Sequence, residues 1–120
     1  MRELPQFDCE DGYPVDAAID ALRNHEFSPG SAARFLVIDL PSIAEQISCM
    51  SVRISDATAE FGRGQVKAIE YHTGGWSGAE ELINTMLSHF WIRHLHTKWE
   101  RGGHFYFEVP TLFLSRNLPA

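Results

Sequence analysis

The sequence predicts an α+β fold: two layers, with a mostly antiparallel sheet of about four strands, one long helix across it and an N-terminal helix. Three observations predict it. Within residues 50–57, Met50, Val52 and Ile54 alternate with Ser51, Arg53 and Ser55, as in a half-buried strand. Residues 104–109 alternate in the same way after a Gly-Gly pair. Between two such segments lies a run from about Gly78 to Arg101 whose apolar positions recur at helical spacing.

Taken in order, the first helix runs from Pro14 to about His25. Val15, Ala18, Ile19 and Leu22 fall at i, i+3, i+4 and i+7, and Pro14 suits a first helical position. Ser28-Pro29-Gly30 punctuates the chain, and the apolar run 34–40 (RFLVIDL) reads as a strand. In the next strand Met50, Val52 and Ile54 take one face, and Ser51, Arg53 and Ser55 the other. FGRG at 61–64 turns the chain into the strand 65–73, so that these two form a hairpin. The long helix 78–101 follows, stopped by Gly102-Gly103. On it Ile83, Met86, Leu87, Phe90 and His94 make one stripe, while Ile92, Leu95 and Trp99 make a second apolar patch. The order is α-β-β-β-α-β in a single domain, 1–120, and the 44% of hydrophobic residues suffices for its own core.

Charge and composition exclude several classes. Residues 1–60 hold eleven acids against four Lys and Arg, and residues 61–120 hold five against six, for a net −6. Duplex affinity rests on phosphate neutralisation, so this balance argues against a general nucleic-acid binder and leaves only a local patch in the second half. The amino-terminal residues lack an apolar signal core and no run approaches a membrane span, which gives a cytoplasmic expectation with no membrane partner. Cys9 and Cys49 have no metal or redox spacing, so reduced packing residues are expected.

Several stretches invite a functional reading. TGGWSG, residues 73–78, resembles an anion-binding turn before a helix, but Ser77 and Glu80 form a capping box and Glu81 adds a second acid. No Lys follows the glycines, and the spacing matches neither phosphate-binding fingerprint. The expectation is a structural turn that aims Trp76 outward. No HExxH pair exists, and on a helix His89 and His96 lie about 10 Å apart, so no metal centre and no cofactor are expected. If strand 65–73, the long helix and strand 104–109 form a crossover, the two strands run parallel. His72 and His104 then lie at opposite ends of the sheet, about 20–27 Å apart. The end bearing Arg63, Lys67, Arg101 and His104 is a candidate anion site. No GxSxG or partnered cysteine suggests nucleophilic catalysis, Cys49 reads as core, and Glu70 and Glu108 are carboxylates of ordinary strand faces.

The segments EYHTGGWSGAEELI, FW at 90–91 and RGGHFYFEV resemble small proteins of phages and prophages, over residues 65–109. The resemblance implies a recurrent strand–turn–helix–strand unit in an accessory or interaction protein, and it carries no activity. The reading that follows is a non-enzymatic protein-interaction module, with a dimer favoured, whose contact surface uses Trp76, Trp91, Leu95 and Trp99. Anion or nucleic-acid binding at Arg63, Arg101 and His104 is the alternative. A metal-dependent enzyme using His and Glu residues comes third.

Overall fold

The computed structural model describes residues 7–59 and 64–114. They form an α+β fold with two antiparallel sheets, one of two strands and one of four. The small sheet pairs β1 (Cys9–Glu10) with β2 (Tyr13–Pro14). Helix α1 (Asp16–Asn24) follows, burying Ala18, Ile19 and Leu22 as the spacing predicts. The four-stranded sheet has the order β3 (Ser51–Thr58), β4 (Gln65–His72), β6 (His104–Pro110), β5 (His96–Glu100). The hairpin of β3 and β4 and the last strand agree with the sequence reading. Among the described residues no helix is long and apolar enough to cross a membrane.

Residues 34–40 are not a strand. Helix α2 (Pro29–Arg34), a wide π turn (Phe35–Asp39) and helix α3 (Leu40–Ala44) make one helical stretch. It starts at a reciprocal cap in which the Ser28 hydroxyl accepts from the Ser31 N–H at 3.1 Å and the Ser31 hydroxyl accepts from the Ser28 N–H at 2.8 Å. Pro29 fits the first turn. Pro41 has no N–H to offer Val37, and the wide turn just before it accommodates that break in the ladder. Phe35, Leu36, Leu40 and Ile43 are buried by this stretch.

The long helix expected over 78–101 is likewise divided. Helix α4 (Ser77–Met86) ends, the chain extends at His89, helix α5 (Phe90–His94) makes one turn, and β5 begins at His96. Local polar groups end α4. Thr85 turns its hydroxyl onto the Glu81 carbonyl at 2.9 Å, and Ser88 turns its own onto the Thr85 carbonyl at 2.6 Å. His89 leaves the helix and donates from Nε2 at 2.6 Å to the Leu22 carbonyl at the end of α1, which also accepts the His25 N–H at 3.2 Å. Its ring also packs edge-on against Phe27, with centroids 4.8 Å apart. His89→Ala is therefore expected to destabilise the fold by about 1–2 kcal/mol, read by chemical denaturation.

The break changes which side chains are covered. Ile83 and Met86 are buried as the helical wheel predicts, but Phe90 and His94 turn outward and Ile92 and Leu95 are buried instead. Ile69, Tyr71, Phe107 and Val109 share one core with Leu22, Leu36, Leu82, Ile83 and Met86, so the helices cover that face of the sheet. The cross-strand register puts Arg53, Glu70, His72, His104, Tyr106, Lys98 and Glu100 on the opposite face.

Candidate functional site

Dividing the helix reverses the topology expected for the two histidines. Because β5 turns back on β6 through residues 101–103, β6 enters beside β4 antiparallel rather than parallel. His72 and His104 become direct cross-strand partners. The expectation that they lie at opposite ends of the sheet is corrected by this register. Their Nδ1 atoms are in hydrogen-bonding contact, and their ring centroids lie 4.6 Å apart at an interplanar angle of 77°.

One imidazole must donate and the other accept in an Nδ1–Nδ1 contact. Glu70 Oε1 lies 3.8 Å from His72 Nε2, which favours a proton on that nitrogen. His72 Nδ1 is then the acceptor, His104 Nδ1 carries the donated proton, and His104 Nε2 keeps a lone pair. Around the pair, charges alternate. Arg53 lies 3.9 Å from Glu70, and Lys98 sits 4.5 Å from the Tyr106 ring centre. Tyr106 donates its hydroxyl to Glu100 at 2.7 Å. That bond holds the Glu100 carboxyl below the usual range and pushes the Tyr106 phenol up. Glu100 is also the register partner of His104 on its other side.

Both glycine turns meet at this end of the sheet. The Thr73 N–H donates to the Gly103 carbonyl at 3.0 Å, so the TGGW and RGGH segments touch rather than sit apart. Thr73 is fully buried; its hydroxyl accepts from the Gly75 N–H at 3.2 Å and donates to Glu80 at 3.3 Å. The capping box expected between Ser77 and Glu80 is thereby corrected. Ser77 is already helical and donates to the Tyr13 hydroxyl at 3.4 Å, while Glu80 is taken by Thr73. The turn's own groups engage one another, as a structural turn requires.

Trp76 is held within the fold. Its indole donates to the Gly12 carbonyl at 3.0 Å and packs on Tyr13 at 4.8 Å between centroids. Trp91 is half-buried against the core and Leu95 is buried. Trp99 is 56% exposed on the edge strand β5. Of the anion candidates, Arg63 lies outside the described residues, Arg101 is exposed in the β5–β6 turn, and His104 joins His72. Lys67 lies elsewhere, paired with Asp56 at 2.5 Å.

Cys9 and Cys49 are unbonded, and Cys49 is exposed, not core. Glu108 stands four residues along β6 from His104, about 13 Å away, on a cavity of about 230 Å³ that Val66, Leu95 and Phe113 also line. His96 lies against Phe105 and Phe107, and burial pushes its pKa down. Among the described residues no group of three or more His, Cys, Asp or Glu side chains could hold a metal ion.

The sequence held a signal for this site that a helical reading masks. The run HTKWE, the glycine turn and HFYFEV together carry the alternation of a hairpin. Compared with known proteins, the chain matches no protein-family model, no curated protein and no solved structure.

Proposed function

We propose that the protein is a non-enzymatic interaction module that associates with a protein partner, a second copy first, through the β5 edge around Trp99. One observation carries this reading: a tryptophan more than half exposed on an edge strand of the sheet. An indole left in water on an open edge gains from burial, and tryptophan dominates many interface energies. Lys98 and Glu100 flank it and supply charges of both signs that would set register. Phe90, on α5, is a second exposed aromatic side chain. Trp76 and Leu95 leave the contact set, since the fold itself uses them.

The anion reading at Arg101 and His104 draws less support. Glu70 and Glu100 stand beside the two imidazoles and oppose a bound anion. Light scattering after size exclusion tests the interaction reading. A dimer is expected at high micromolar concentration, weakened at least about 30-fold by Trp99→Ala. A strict monomer throughout that range, or a dimer indifferent to Trp99→Ala, would count against it.

A further inference from the structure

We propose that His72 and His104 form a two-imidazole site for a divalent transition-metal ion of the zinc type, its remaining positions open to water or to a partner's side chain. This inference does not depend on how Trp99 is used.

The Nδ1 atoms already converge on one point. Two imidazoles on a tetrahedral zinc ion hold their nitrogens about 3.3 Å apart, given Zn–N bonds of roughly 2.0–2.1 Å. A small opening of the rings would admit the ion, with no change in strand register. Each ring stands on a strand paired along its length, β4 between β3 and β6, and β6 between β4 and β5. The backbone therefore keeps the two ligands facing each other.

The surroundings suit a cation with nitrogen ligands. Glu70 lies on the Nε2 side of His72, the place from which a carboxylate orients a metal-bound imidazole and raises its basicity. Glu100 adds negative charge beside His104 while Tyr106 fixes its position. Arg53 is the cation nearest Glu70 and is largely exposed, so it opposes the ion only weakly. Imidazole nitrogens select zinc, nickel or copper over magnesium and calcium, which take oxygen ligands. With two protein ligands the site is open and exchangeable, unlike a closed structural zinc centre.

Calorimetric titration of the untagged full chain with zinc chloride tests the proposal. One saturable site is expected, weakened at least about 10-fold by His72→Gln or His104→Gln and by a smaller factor in Glu70→Gln. Lowering the pH from 7.5 to 5.5 should weaken it, because protons compete for the same nitrogens. Imidazole nitrogen NMR on the wild-type protein gives a reading that no variant's folding can confound. Zinc should shift the His72 and His104 resonances and leave those of His25, His89 and His94 in place. No saturable binding with zinc in excess, or binding unaltered in the His72→Gln, His104→Gln pair, or shifts confined to the other histidines, would overturn the site.

Discussion

Gly103→Ala is expected to destabilise the protein by about 2–4 kcal/mol. Gly103 has φ +79°, and a Cβ there would stand 2.1 Å from the Thr73 hydroxyl oxygen. Thr73 has no room to yield, being buried and bonded to Gly103, Gly75 and Glu80. Gly75→Ala is the matched control: its φ is +76°, yet nothing lies within 4 Å of the new Cβ. It should show only the backbone cost of about 1–2 kcal/mol. The difference between the two, measured by urea denaturation, isolates the contact between TGGW and RGGH. Equal losses would mean that the turns do not touch.

Tyr71→Phe should cost about 1–3 kcal/mol at neutral pH, and that cost should shrink in alkali. The Tyr71 hydroxyl donates to the Ala79 carbonyl at 2.5 Å in the core, tying β4 to α4. Removing it leaves a buried carbonyl without this donor. Burial first, and the nearby Glu80 charge second, push the phenol far above its ordinary value in the folded state. The unfolded chain ionises at about 10, so above that pH it releases a proton that the folded protein retains. This share of stability is whole below pH 10 and is lost above it, by about 1.4 kcal/mol for each pH unit. The stability curves of the wild type and Tyr71→Phe should then converge above pH 10. Curves that stay parallel would remove Tyr71 from the alkaline response.

Much of the fold was legible because its elements obey a single period. Residues 51–55 alternate between exposed and half-buried, and Ala18, Ile19 and Leu22 repeat at helical spacing, so the strand and the helix formed where the pattern says. Two elements were misread for different reasons. The run 34–40 is short and continuously apolar, which periodicity alone cannot assign. The deciding signal stood upstream, in Ser28 and Pro29, where a capped helix begins. Over 78–101 the apolar positions keep helical spacing beyond the true end of the helix, which masks the break. Thr85 and Ser88 turn their hydroxyls to the backbone, and His89 finds its acceptor on α1, sixty-seven residues away in sequence. The first two are local and readable; the third is a tertiary contact.

The candidate site failed with the helix and for the same reason. With residues 96–100 read as helix, β6 must run parallel to β4 and the two histidines separate. With those residues as a strand, the turn 101–103 reverses the chain and the histidines meet. His72, His104 and Glu70 were each visible as candidates, while their grouping depended on one secondary-structure assignment. Trp76 shows the converse: its loop was placed correctly as a turn, but the Gly12 carbonyl that captures the indole lies sixty-four residues away in sequence.

The register of β4 against β6 underlies the histidine pair, the joined glycine turns and the exposed Trp99 edge alike. Nuclear Overhauser contacts on isotope-labelled protein test it most directly. Cross-strand contacts are expected between His72 and His104, Tyr71 and Phe105, and Glu100 and His104, with the helical sequential pattern stopping after Met86. An unbroken helical pattern from Ser77 to Arg101, with no contact between His72 and His104, would contradict the account.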